Sequence, residues 1–105
     1  MYIMDYSLYM LKLEKTAEYQ DWFMGLDDKL VKARIQARIR RLQEGNAGDV
    51  ASVGEGVSEL RLHFGSGWRV YYTERNGEII ILLAGGNKRT QKRDIKLALM
   101  LASNL

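Results

Sequence analysis

Residues 59–73 read ELRLHFGSGWRVYYT, two runs of alternating apolar and polar residues on either side of Gly65-Ser66-Gly67. Alternation is the period of a β-strand, because successive side chains leave a strand on opposite faces. The stretch is therefore a hairpin, with Leu60, Leu62, Phe64, Trp68, Val70 and Tyr72 on one face and Glu59, Arg61, His63, Arg69 and Tyr71 on the other. The first face suits a core. The second carries more charge and hydrogen-bonding capacity than a wetted surface needs, and it is the first place to look for function.

Downstream of the hairpin, Asn76-Gly77 is a strong two-residue turn signal that joins residues 71–75 to the apolar run 78–83, so residues 57–84 form a three-stranded antiparallel meander. The last of these strands is apolar on both faces, which predicts a central position covered on each side. Gly85-Gly86 ends it, and a final helix runs from Asn87 to about Ser103 with Ile95, Ala98, Leu99, Leu101 and Ala102 inward.

Upstream, residues 9–15 alternate as a first strand, Thr16 caps a short helix closed by Gly25, and Asp27 or Asp28 caps a second that ends near Glu44. Val31, Ile35, Ile39 and Leu42 recur at helical spacing on that second helix. Its other sides carry Lys29, Lys32, Arg34, Arg38, Arg40 and Arg41, which suit a solvated face, phosphate contact or an acidic protein partner. Residues 45–56 lack the Gly-Lys-Ser/Thr ending of a nucleotide-binding loop and read as a turn-rich connection. The expected order is β-α-α-β-β-β-α. This is an α+β domain whose mainly antiparallel sheet packs on a helical pair, with a C-terminal helix.

At 105 residues the chain holds one domain, residues 1–105, with residues 1–8 as a possible N-terminal extension. It has no cysteine and a single histidine, which removes disulfides, thiolate chemistry and multi-histidine zinc sites. No cofactor and no metal are therefore expected. No apolar run reaches membrane-spanning length and the N-terminus lacks the basic flank of a secretory signal, so no membrane partner and a cytoplasmic location are expected. Charge is uneven: residues 1–27 carry a net −3 and residues 28–105 a net +6. A basic body of this kind suits a polyanion, nucleic acid above all, as well as a plainly solvated surface.

Lys88, Arg89, Lys92 and Arg93 follow the central strand at the start of the last helix, where they can close over the polar face of the hairpin. Guanidinium groups bind phosphate in a fork and aromatic rings stack on unpaired bases, so this surface suits an RNA strand. Cleavage of RNA by its own 2′-hydroxyl needs a base for that proton, cations for the anionic phosphorus centre and an acid for the leaving 5′-oxygen. An imidazole titrates near neutrality, so His63 can serve as acid or base, and Glu59 or Asp94 can also be a base.

The strings RLQEGNAGD, VSELR, GSGWRVYY and GGNKRTQKRDI, in this order and spacing, closely resemble the RelE/ParE superfamily of type II toxin–antitoxin toxins. Within it they are nearest to the HigB-like addiction module killer proteins, also called phage Gp49-like. The resemblance covers about residues 16–102. It implies a toxin neutralised by a small antitoxin, often of the helix-turn-helix type, and its superfamily shares the element order expected above. RelE-like members cut mRNA in the ribosome without metal, which implies a ribosome-dependent endoribonuclease, or mRNA interferase, that inhibits translation. By position Arg61, Arg69 and Lys88 match the family's phosphate-gripping cations. Asp94 stands about where some members carry a catalytic tyrosine, and Glu59 where some carry a second sheet lysine. The catalytic set expected on these grounds is Arg61, His63, Arg69, Lys88 and Asp94, with Tyr71, Arg89, Lys92 and Arg93 as RNA-binding residues. ParE-like members share the fold and inhibit DNA gyrase without cutting RNA. A gyrase inhibitor, or a module that only binds an antitoxin, is thus the alternative function.

Overall fold

From Leu62 and Trp68 inward the quoted hairpin forms with the register that its alternation requires, while His63 and Phe64, expected on its first strand, fall in the turn. Leu62 pairs with Trp68, Arg61 with Arg69, Leu60 with Val70 and Glu59 with Tyr71. A computed structural model describes residues 10–105. The possible extension at residues 1–8, and Tyr9 of the expected first strand, lie outside the described residues.

The elements are β1 (Lys12–Lys15), α1 (Ala17–Met24), α2 (Lys29–Gln43), β2 (Val50–Gly54), β3 (Val57–Leu62), β4 (Trp68–Arg75), β5 (Ile79–Gly86) and α3 (Gln91–Ser103), with a 3-10 turn at Lys88–Thr90 before α3. The expected α+β architecture stands, with one strand added. Among the described residues the sheet has five strands, in the order β1-β5-β4-β3-β2. Of these pairs β1–β5 is parallel and the other three are antiparallel. The Asn76-Gly77 turn has both residues at positive φ, 57° and 66°, as the tightest hairpins require.

Two helices cover one face of the sheet and α3 covers the other. Leu60, Leu62, Val70, Tyr72, Ile80 and Leu82 pack with Val31, Ile35, Ile39 and Leu42 of α2 and Tyr19 of α1. On the opposite face Val57, Tyr71, Ile81, Leu83 and Ala84 pack with Ala98, and Ile95, Leu97, Leu99, Leu101 and Ala102 border them. The strand expected to be apolar on both sides is therefore doubly covered and interior to the sheet, one place from its β1 edge, with β4 at the middle. A hairpin face expected to lie open is a second, smaller core along part of its length.

Local chemistry explains the helix boundaries. Thr16 accepts from the Tyr19 amide at 3.0 Å as an N-cap, and its hydroxyl donates to the Leu83 carbonyl at 2.6 Å. One side chain thus starts α1 and ties it to β5. Asp28, rather than Asp27, caps α2 by accepting from the amides of Leu30 and Val31 at 2.9 and 3.3 Å.

Two expectations need correction. Residues 50–54, read as loop, form the edge strand β2, paired to β3 through Val50–Leu60, Ala51–Glu59 and Ser52–Ser58. Short, small-residue segments flanked by glycines carry a weak strand signal, and here the pairing is supplied by β3. An irregularity between Ser52 and Gly54 bends this edge, which limits its use as a template for further pairing. Gly85-Gly86 does not end β5 but belongs to it. A Cβ on Gly85 would enter the ring of Trp22, and one on Gly86 would enter the carboxylate of Asp94. The pair is there for close approach.

Candidate functional site

Register sets Arg61 directly opposite Arg69, and two like charges facing each other across a ladder repel. The carboxylate of Glu59, with only 1% of its side chain exposed, relieves this. Its Oε1 accepts from Arg61 Nε at 2.9 Å, and its Oε2 accepts from Tyr71 Oη at 3.0 Å and Gln91 Nε2 at 2.9 Å. Arg69 Nε lies 3.6 Å from Oε2, buried and without a hydrogen-bond partner among the described residues. Burial opposes the charged carboxylate, yet the hydrogen bonds from Arg61, Gln91 and Tyr71 and the charge of Arg69 outweigh it, and the pKa of Glu59 is lowered. Glu59 is thus a buried, fixed counter-ion to Arg61 and Arg69. Burial, with the Glu59 charge beside it, raises the pKa of Tyr71, so its phenol stays protonated as a donor.

Tyr71 was expected to stack on a base, and the structure rules that out: it is wholly buried beneath α3 with its hydroxyl bound to Glu59. Asp94 was expected near the reacting atoms. It is 4% exposed instead, lies against Gly86, accepts from the Thr90 hydroxyl and sits 3.6 Å from Arg93 Nε. Its carboxylate is thus bonded within the start of the last helical segment and packed against the end of β5.

The open part of the same face lies where the hairpin turns. An open cleft of about 630 Å³ is lined by His63, Phe64, Gly65, Ser66, Gly67, Arg69 and Lys88. The Ser66 carbonyl accepts from the Lys88 amide at 3.3 Å, which brings the residue after β5 against the tip of the β3–β4 hairpin. Gly67, at φ +77°, makes that approach possible, since a Cβ there would lie 2.9 Å from Arg69 Nη1 and 3.3 Å from Lys88 Cβ. Arg69 Nη1 donates to the Gly67 carbonyl at 2.6 Å, so its guanidinium is held in place before any ligand arrives. Three of the five expected catalytic residues, His63, Arg69 and Lys88, thus share one cleft. Arg61 stands beside it, partly exposed and bonded to Glu59.

Lys88 also borders a second hollow of about 510 Å³ with Arg89, Thr90, Gln91, Lys92 and Arg93. The expected RNA-binding cations Arg89, Lys92 and Arg93 gather there, exposed. Asn87 shapes this segment by accepting from the amides of Arg89 and Thr90 at 2.9 and 3.3 Å, while its own amide donates to the Thr90 hydroxyl at 3.2 Å.

Sequence reasoning missed Asp49. Its carboxylate is hydrogen-bonded to His63 Nε2 from fourteen residues upstream. The hydrogen bond from His63 is the largest influence on Asp49 and lowers its pKa. No local pattern signals this pair, because β2, which follows Asp49, was not legible as a strand. Arg38 has a structural use that helical spacing could not show: it donates to the carbonyls of Arg61 at 2.7 Å, Ala47 at 2.9 Å and Asp49 at 3.4 Å. Arg34 sits over the Phe64 ring, 4.7 Å from its centroid.

The model of the family described as phage-derived protein Gp49-like matches residues 21–102. The chain belongs to the Gp49-like family. The matched span of this Gp49-like chain contains the hairpin, the cleft and nearly all of α3. An uncharacterized protein of Haemophilus influenzae is 46% identical over 95 residues, covering 90% of this chain and 96% of the relative. Among solved structures, a double-arginine mutant of the E. coli toxin RelE in the free state superposes with a TM-score of 0.64 at 12% identity, covering 83% of this chain and 96% of that one. The intact E. coli RelBE toxin–antitoxin complex gives a TM-score of 0.59 at 14% identity, covering 73% and 95%. The Gp49-like chain thus has the RelE fold. Among the described residues, no helix is long and apolar enough to cross a membrane.

Proposed function

We propose that this Gp49-like chain is the toxin of a type II toxin–antitoxin pair and an endoribonuclease that cuts mRNA on the ribosome. The observation that carries the reading is the cleft in which a preset guanidinium (Arg69), an ammonium (Lys88) and an imidazole (His63) meet. Cations fixed before the substrate binds stabilise the anionic phosphorus centre without reorganising during the reaction. In this mechanism Arg69 and Lys88 hold the scissile phosphate and Arg61 adds positive charge from beside the cleft. The 2′-oxygen attacks phosphorus as His63 takes its proton. The bond to the 5′-oxygen breaks, leaving a 2′,3′-cyclic phosphate, and the departing oxygen takes a proton from water. Arg89, Lys92 and Arg93 hold flanking phosphates in the neighbouring hollow.

The RelE fold, found in a free toxin and in a toxin–antitoxin complex, supports the reading, as does family membership. The partner on this view is an antitoxin, of the helix-turn-helix type by resemblance, which covers the cleft. The action is in the cytoplasm and without cofactor. Mapping mRNA 5′ ends after brief induction tests it: sharp in-frame cuts on translated messages are expected. Intact messages together with inhibited gyrase supercoiling would replace the nuclease with a gyrase inhibitor.

A further inference from the structure

His63 and Asp49 form an exposed pair, with side-chain exposures of 72% and 43%, and exposed pairs contribute little to stability. Yet the acidic partner is built into place. The Asp49 carbonyl accepts from the Arg61 amide at 3.0 Å and from Arg38 Nη2 at 3.4 Å, and Arg38 also binds the carbonyls of Ala47 and Arg61. Gly48, at φ +67°, leaves room for this clamp, because a Cβ there would lie 2.9 Å from Arg38 Nη2. Two elements, α2 and β3, thus hold the backbone that presents the Asp49 carboxylate to the imidazole.

An ionised carboxylate only accepts, so in the neutral ring the hydrogen sits on Nε2 and the lone pair on Nδ1. Nδ1 makes no hydrogen bond among the described residues, and His63 lines the cleft with Arg69 and Lys88. We propose that Asp49 is a positioning residue for the nuclease reading above, on which this inference rests: it holds His63 in the tautomer whose Nδ1 takes the proton of the attacking 2′-hydroxyl. The imidazolium that forms is then stabilised by the same carboxylate. The charged groups around His63 are Asp49 before β2, Arg34, Arg38 and Arg41 of α2, Arg69 of β4 and Lys88 in the 3-10 turn.

The test pairs ¹⁵N NMR of the full chain, in which the single histidine gives an unambiguous imidazole signal, with single-turnover cleavage of a message on programmed ribosomes. Asp49→Ala keeps the backbone bonds that build the clamp, so folding is preserved. The wild type is expected to show the Nε2–H tautomer and Asp49→Ala to lose that bias. Cleavage by Asp49→Ala should fall on the order of 10²-fold, the lower end of what a positioned base supplies, with half-saturation unchanged. In a His63→Ala background the second change should add nothing. An Nδ1–H tautomer or an even mixture in the wild type overturns the proposal, as do a wild-type rate in Asp49→Ala or losses that multiply in the double variant. A wild type with the expected tautomer that cuts no message sinks the nuclease reading and the base role together, leaving the pairing as structure alone.

Discussion

The middle of the β3–β4 hairpin and its turn have opposite fates. Glu59 and Tyr71, paired in the middle of the β3–β4 ladder, are sealed under α3, whereas His63 and Arg69 at the turn of the hairpin border an open cleft. All four share parity, and alternation alone treats them alike. The difference comes from where the last helix starts: the 3-10 turn at Lys88–Thr90 touches the hairpin tip, and α3 then runs back over the middle of the sheet. Buried polar groups at one end thereby fix the charged groups at the other.

This division is most severely tested at Glu59. Glu59→Ala leaves Arg61 and Arg69 facing each other with their counter-ion gone, and breaking a buried pair in this way costs about 3–5 kcal/mol. Urea unfolding should record that loss, and a change below about 1 kcal/mol would mean that the network is not what holds the closed end together.

At the open end the largest effect is on activity. Arg69→Ala should slow cleavage by about 10²–10³-fold, the usual cost of one preorganised donor in a transition state. Growth arrest on induction should weaken in parallel. Wild-type toxicity from that variant would show that the cleft is not the active site.

The two ends should also separate by pH. Because the folded pKa of Glu59 is lowered, its contribution to stability is complete above the ordinary glutamate range, about 4.3, and is lost as pH falls through the folded value. Urea midpoints taken from neutral pH downward should fall in the wild type, and the fall should be shallower in Glu59→Ala. Parallel curves would show that another group governs acid lability.

Smaller effects follow where neither end is touched. Asp28→Ala removes a helix cap and should cost about 1 kcal/mol by thermal unfolding, with cleavage unchanged. Replacing Arg93, exposed in the outer hollow, should weaken binding to single-stranded RNA and lower the salt slope by about 0.7, that of one phosphate contact. An unchanged slope would remove Arg93 from the path of the RNA.

Much of the fold was legible because its signals are local. Residue alternation in ELRLHFGSGWRVYYT, the Asn76-Gly77 turn, the Thr16 cap and the spacing of Val31, Ile35, Ile39 and Leu42 each act within a few residues, and each has its expected structure. The strand β2 was not legible, since Val50–Gly54 takes its conformation from pairing with β3 and not from its own residues. The same gap hid Asp49 from His63.

By itself, then, the sequence determined the hairpin, the helices, the double covering of β5 and the identity of Arg69, Lys88 and His63 as residues suited to phosphate chemistry. Tertiary structure alone decided that Tyr71 and Asp94 are internal, that Glu59 is a counter-ion, and that Asp49 faces His63. The physical reason is range. Periodicity and turn chemistry are set between neighbours, whereas burial and charge pairing depend on which distant element comes to rest on a face, here α3 over one part of the sheet and not the other.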